Sequence, residues 1–141
     1  MTGRLNKKTI IVTGAGAGLG RASAIKLAEE DAQVFCVDVN PETVKETSDI
    51  ITSRGGAASH YQADMCSETE IIAMVTEAEK TYNGIDGLLA NAGIAGTGAA
   101  HETSLEDWDR LIKVSLTGKW LCAKHVIPHF IAKKSGNIVF Q

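Results

Sequence analysis

The chain has 141 residues, 44% of them hydrophobic and 22% charged, with a formal net charge of -3. That balance belongs to an ordinary globular domain, and it excludes the electrostatic footprint of a nucleic-acid binder or of a protein drawn to an anionic membrane. No apolar stretch nears the roughly twenty residues of a membrane span, and the basic start MTGRLNKK is followed by no apolar segment long enough for a signal peptide. Cys36, Cys66 and Cys122 are odd in number and stand in no CxxC spacing. They point away from a disulfide framework or a zinc site and toward a reducing, cytoplasmic setting.

In chain order, KKTIIVT reads as a buried strand that runs into TGAGAGLG, four glycines in the eight residues 13–20. The helix that follows, LGRASAIKLAEED, is expected to turn Ala22, Ile25, Leu27 and Ala28 inward. AQVFCVD is a second strand, closing on Asp38. NPETVKETSDIITSRGG has Asn40 at the N-cap, Pro41 at the first helical position and glycines past the end. AASHYQAD is a weaker third strand. SETEIIAMVTEAEKTYNG opens with Ser67 and carries Glu70 three residues on, the pattern of a capping box, and closes at Gly84. IDGLLANAG is a fourth strand and IAGTGAAHETS a loop of small residues. LEDWDRLIKVSLTGKWLCAKHVIPHFIAKK reads as one long helix, bent near Gly118 and again near Pro128. Its apolar band of Trp108, Leu111, Ile112, Leu116, Trp120 and Leu121 is expected to serve both core and subunit interface. GNIVFQ begins a fifth strand. Strands alternating with helices predict an α/β fold over residues 1–141: a doubly wound, Rossmann-like parallel sheet of order 3-2-1-4-5, truncated after the fifth strand.

The glycine loop lies between a strand and a helix, so its amides stand at a helix N-terminus, where free N–H groups and the helix dipole favour an anion. A GxGxxG pattern started at Gly14 and Gly16 would need glycine at Leu19, and fails. Gly14, Gly18 and Gly20 fit TGxxxGxG instead, and no GK[ST] follows to make a Walker loop. The loop alone leaves open a turn that binds nothing. The strand before it, the helix after it and Asp38 at the end of the second strand favour a dinucleotide site. A carboxylate there accepts hydrogen bonds from ribose hydroxyls and repels a 2′-phosphate. Ala17 and Val39 bring no basic group to offset it, so the pattern favours NAD over NADP. Arg21 reads as one half of a surface ion pair.

On these residues the chain resembles the short-chain dehydrogenase/reductase family. TGAGAGLG matches the family's TGxxxGxG, Asn91–Gly93 its NAG motif, Asp64 in QADM its adenine-contacting aspartate, and SGNIV the start of its fifth strand. The resemblance implies hydride transfer between a secondary alcohol or ketone and a nicotinamide cofactor. It implies that Gly14, Gly18 and Gly20 hold the pyrophosphate side, Leu19 offers its backbone, and Asp38 binds ribose. Asp64 and Met65 would meet adenine, Val114 would pack near the cofactor, and Asn91, Ala92 and Gly93 would pass beside the nicotinamide ribose. Thr13 would tie the first strand to the NAG turn rather than touch the cofactor. Asn91 also reads as a turn residue tolerating an unusual backbone angle. Homo-oligomerisation through the helix of residues 104–131, or through the fifth-strand edge, is expected.

Two departures from the family stand out. Ser115, in VSLTG, occupies the position where the family carries an asparagine that helps hold a water of the proton relay. A serine there either serves that catalytic role or bonds back to its own helix. The second departure is larger, for no YxxxK pair exists: Tyr61 is followed four places on by Met65, and Tyr82 by Asp86. In the family that tyrosine is the general acid/base, its pKa lowered by the lysine. These 141 residues are therefore expected to bind cofactor without running the family's chemistry, with a non-catalytic dinucleotide-binding module as the alternative. His125 and His129 are spaced i, i+4 around Pro128, and without further ligands no metal site is expected.

Overall fold

In the computed structural model, residues 3–96 and 98–141 are described. Met1 and Thr2 of the basic start, and Thr97 in the small-residue loop expected over 94–104, lie outside the described residues. The elements run β1 (Thr9–Thr13), α1 (Gly18–Glu29), β2 (Gln33–Asp38), α2 (Pro41–Ser53), β3 (Ala57–Gln62), α3 (Glu68–Tyr82), β4 (Gly87–Ala90), α4 (Leu105–Ile112), a π-helical segment (Lys113–Thr117), α5 (Gly118–Lys133) and β5 (Asn137–Phe140). All strand pairs are parallel, in the expected order β3-β2-β1-β4-β5.

Alternation along the central strands divides the core into two layers. Ile11, Phe35, Val37 and Leu88 face one side, where Ile71, Met74 and Val75 of α3 and Leu121, Cys122 and Val126 of α5 cover them. Val12, Val34 and Cys36 face the other, under Ala24 and Ala28 of α1 and Val44 and Ile51 of α2. Burial pushes the Cys36 and Cys122 thiols up to about 12, so both behave as small apolar side chains. Of the residues of α1 expected inward, Ala28 is buried, Ile25 and Leu27 are half-buried against the same cluster, and Ala22 is exposed; Gly20 and Ala24 complete the buried face. Spacing of four along small residues sets that face, because α1 lies close over the sheet.

Helix starts follow the local chemistry. Asn40 accepts from the amides of Glu42 and Thr43, and Pro41 opens α2. Ser67 caps α3 by accepting from the Glu70 amide at 3.3 Å, but the expected reciprocal half of the capping box is absent. The Glu70 carboxylate takes the Asp64 amide instead, at 2.8 Å, and so braces the loop after β3. The long helix is irregular beside Gly118, one of the two places expected. The disturbance is the π-helical segment, which ends just before Gly118, and α5 runs unbroken through Pro128. A Cβ on Gly118 would stand 2.7 Å from the Met65 carbonyl oxygen, so close packing on the loop after β3 sets that junction. The expected apolar band is split by this geometry: Leu121 enters the core, while Trp108, Leu116 and Trp120 remain exposed.

No strand pairs with the outer side of β5 among the described residues, and Val139 and Phe140 on it are 57% and 59% exposed. An uncovered apolar edge is a template for pairing with another chain. The 141-residue chain is expected to self-associate, and Val139→Lys to shift it toward monomer in light scattering. A parent chain that stays monomeric at high concentration would show that the edge recruits nothing.

Candidate functional site

Beyond the C-terminal ends of β1 to β4 lies a cleft of about 260 Å³, at the point between β1 and β4 where the strand order reverses. Gly14, Asp38, Asp64, Met65, Ala92, Gly93 and Val114, all expected on sequence grounds, line it. Gly18, Leu19, Gly20, Asn91 and Ser115 do not line the cleft; they shape or border its walls. Sequence reasoning did not place Ala63, Cys66, Ile94 or Arg110 here, although Arg110 stands one helical turn before Val114 and shares its face. Val39, noted only for lacking charge, also lines it.

The two strand ends are joined at Thr13 and Asn91. The buried Thr13 hydroxyl accepts from the amides of Asn91 and Ala92, each at 3.1 Å. Asn91 returns the contact by donating its side-chain amide to the Thr13 carbonyl at 3.0 Å and to that of Gly14 at 3.3 Å. Thr13 is thus the tie it was expected to be. Asn91 is not a turn residue at an unusual angle, because positive φ in non-glycine residues occurs, among the described residues, at Lys7, Asp31, Asn83 and Lys134. Its side chain faces β1, and Ala92 and Gly93 carry the chain past the cleft.

The glycine loop follows from this junction. Gly14 has φ +67°, and a Cβ there would stand 2.9 Å from the Ala92 Cα, so only glycine fits. A Cβ on Gly20 would collide with the Gly14 carbonyl oxygen, which brings α1 down on the loop. Gly18 also has positive φ, but the space over it is open. Helices α2, α3 and α4 begin with a side-chain cap and an acid in the first turn, whereas α1 has neither. Its first amides and positive dipole end meet open space beside the exposed Leu19, a fit for a pyrophosphate. One wall of the cleft carries the Asp38 carboxylate, which accepts from the Gly16 amide at 2.9 Å and the Asn40 amide at 3.1 Å. Carboxylate oxygens hold lone pairs beyond those two bonds, which fits ribose hydroxyls. Arg21 makes the expected ion pair, with Glu46 at 2.6 Å, but it is half-buried and also bonds the glycine loop.

Beyond the neighbouring strand end, where the Ala63 amide bonds the Asp38 carbonyl, the Asp64 carboxylate accepts from the Cys66 amide at 2.8 Å. Burial raises the Cys66 thiol pKa, and the neighbouring Asp64 carboxylate adds to it, which favours the thiol over the thiolate. Ser115 does not bond back to its own helix. Its hydroxyl accepts from the Ile94 amide and donates to the Ile94 carbonyl, both at 3.1 Å, so the π-helical segment holds the loop after β4. A widened turn frees the serine from its helix for this contact. His125 and His129 have separate partners, Glu68 at 2.8 Å and Glu79 at 3.2 Å. Among the described residues, no group of three or more His, Cys, Asp or Glu could hold a metal ion, and no helix is long and apolar enough to cross a membrane.

With this geometry in place, comparison with known proteins is informative. A family model described as short chain dehydrogenase matches residues 8–141. The 2-(S)-hydroxypropyl-CoM dehydrogenase 3 of Xanthobacter autotrophicus is 34% identical over 139 residues, covering 99% of this chain and 54% of that protein. The cis-4-hydroxycyclohexanecarboxylate dehydrogenase of Sinomonas cyclohexanicum is 37% identical, covering 94% of this chain and 53% of that protein. Among solved structures, an NAD⁺-bound xylitol dehydrogenase superposes with a TM-score of 0.93 at 30% identity, over 96% of this chain and 52% of the other. The chain spans about half the length of the relatives it matches.

The tie between the strand ends makes its own prediction. Thr13→Val keeps shape but leaves the half-buried Ala92 amide without that acceptor and the Asn91 amide with the Leu89 carbonyl alone, at 3.0 Å, for a cost of about 1–3 kcal/mol. Urea unfolding is expected to show a stability loss of about 1–3 kcal/mol, read as a lower midpoint with an unchanged slope. No shift would mean that water replaces the hydroxyl.

Proposed function

The chain belongs to the short-chain dehydrogenase family, and from that premise we propose that these residues form the cofactor-binding part of an NAD(H)-dependent oxidoreductase. The single observation that carries the reading is Asp38, a carboxylate at the end of β2 whose chain neighbour in the cleft lining, Val39, brings no charge. In this reading the α1 N-terminus, with Gly14, Gly18, Leu19 and Gly20, takes the pyrophosphate. Asp38 takes the ribose hydroxyls and disfavours a 2′-phosphate. Asp64, Met65 and Val114 enclose adenine, while Asn91, Ala92 and Gly93 border the nicotinamide ribose. Ser115 holds the loop there from below and is the chain's candidate for the family's relay position. The bound nicotinamide would supply the hydride donor or acceptor for a secondary alcohol and its ketone. Two relatives named for hydroxypropyl and hydroxycyclohexane substrates support that substrate class.

The exposed Trp108, Leu116, Trp120 and Ile131 support a homo-oligomer formed through α4 and α5. The unpaired Cys36, Cys66 and Cys122 support a cytoplasmic location.

Calorimetric titration of the 141-residue chain is expected to show tighter binding of NADH than of NADPH. Asp38→Ala removes one or two charge-assisted hydrogen bonds and is expected to weaken NADH about tenfold or more. Equal affinity for both cofactors in the parent chain would refute the reading. Turnover is a separate matter, because no tyrosine here is followed four places on by lysine. The 141 residues alone are expected to give no NADH formation from secondary alcohols. A reproducible rate abolished by Asp38→Ala would show that another residue serves as proton acceptor.

A further inference from the structure

Two peptide groups flank Gly16, and side chains from α1 and α2 hold both. The Ala15–Gly16 peptide is bound at each end: its carbonyl oxygen accepts from the Thr47 hydroxyl at 2.8 Å, and its N–H donates to Asp38 at 2.9 Å. The next peptide presents the Gly16 carbonyl oxygen to the Arg21 guanidinium at 2.6 Å. Arg21 also donates through Nε to the Thr47 hydroxyl at 3.0 Å, and the two hydrogens of the Nη2 that reaches Gly16 are shared with the Glu46 carboxylate at 2.6 Å and the Thr43 carbonyl at 3.2 Å. Thr47 is fully buried, so its one hydroxyl hydrogen is divided between the Ala15 carbonyl at 2.8 Å and the more distant Thr43 carbonyl of its own helix at 3.1 Å. A Cβ on Gly16 would collide with the Thr43 hydroxyl and lie 2.9 Å from the Asp38 carboxyl carbon, so this turn packs against both groups with no room for a side chain.

We propose that Arg21 and Thr47 are positioning residues for cofactor selection: they clamp the peptides around Gly16, and the clamped amide aims the Asp38 carboxylate at the 2′ position of the ribose. The inference rests on the reading of Asp38 as the ribose ligand and adds what keeps it pointed there. A carboxylate on a strand end turns about its own torsions unless both oxygens are held. One oxygen is held by Asn40, within the same local turn, and the other, among the described residues, by Gly16 alone. Release of the Gly16 peptide therefore frees the carboxylate without altering its charge or its place on β2. The planar guanidinium, with several donors in a fixed fork, reaches loop, α2 backbone and Thr47 at once, which a lysine ammonium does not.

The test compares NADH and NADPH affinities, by calorimetry on the 141-residue chain, for the parent, Arg21→Met, Arg21→Lys, Thr47→Val and Thr47→Ser, with circular dichroism to select the folded variants. Arg21→Met and Thr47→Val are expected to weaken NADH about tenfold while NADPH changes by less than about twofold, so the preference for NADH collapses. Thr47→Ser keeps the hydroxyl and is expected to stay within about twofold of the parent. Should either principal variant fail to fold, Arg21→Lys reads the same clamp from the surface side and is expected to lose the preference as well. If folded variants weaken both cofactors equally, or leave the ratio untouched, the residues are merely structural and the proposal is overturned. If the parent shows no preference, or Asp38→Ala leaves the preference intact, the assignment of Asp38 fails and the clamp falls with it. A ratio lost in Asp38→Ala but kept in the Arg21 and Thr47 variants overturns the clamp alone.

Discussion

The site depends on one reciprocal contact, between Thr13 at the end of β1 and Asn91 just past β4. β1 and β4 are neighbours in the sheet but 78 residues apart in the chain, and at this point the strand order reverses. Beyond the last ladder bonds the two backbones would diverge, each with polar groups facing a water-poor interior. Thr13 and Asn91 satisfy those groups mutually, and leaving a buried amide unpaired costs more than the bond gains in water. The contact therefore holds the two turns together where the cleft opens. Gly14 can then adopt its left-handed angle against Ala92, and α1 can descend onto Gly20.

With the turns fixed, charge is distributed by helix chemistry. The three helices that need no ligand at their start satisfy their own first amides with Asn40, Ser67 or Ser104 and place acids in the first turn. Only α1, which begins over the cleft, has neither cap nor acid among these four starts. Its donors remain available to an anion. A short distance away stands Asp38, a fixed negative charge whose two oxygens are held by backbone amides. In the proposed reading, this positive helix end and this oriented carboxylate are the groups that would recognise a ligand anionic in its middle and neutral at its sugar.

The other half of the cleft is built from the least regular stretch of the fold. The π-helical segment swings Ser115 away from its own helix to bond both polar groups of Ile94, and Gly118 packs against Met65. Through these contacts the loops after β3 and β4 are braced by one segment. The outer face of the same region leaves Trp108 and Trp120 exposed, so a single irregular stretch faces the cleft on one side and solvent on the other.

Strand order, the glycine loop and most cleft residues were legible in the amino-acid sequence, because their determinants are local. A short β-branched run such as TIIV, closed by glycines, favours a buried strand. Asn40 followed by Pro41 suits a helix start, and TGxxxGxG depends on backbone angles set within eight residues. What only the tertiary structure decided involves partners distant in the chain. Glu70, spaced for a capping box, bonds Asp64 because the loop after β3 brings a closer amide. The fully buried line of α1 is set by small residues four apart, Gly20, Ala24 and Ala28, with Ile25 and Leu27 half-buried beside it, since helix and loop approach closely there. The helix distortion falls in the π-helical segment and not at Pro128, and Arg21 reaches the loop rather than solvent alone. Periodicity and motif spacing report what a segment can do by itself; the choice among competing hydrogen-bond partners is made by whichever distant group the fold delivers first.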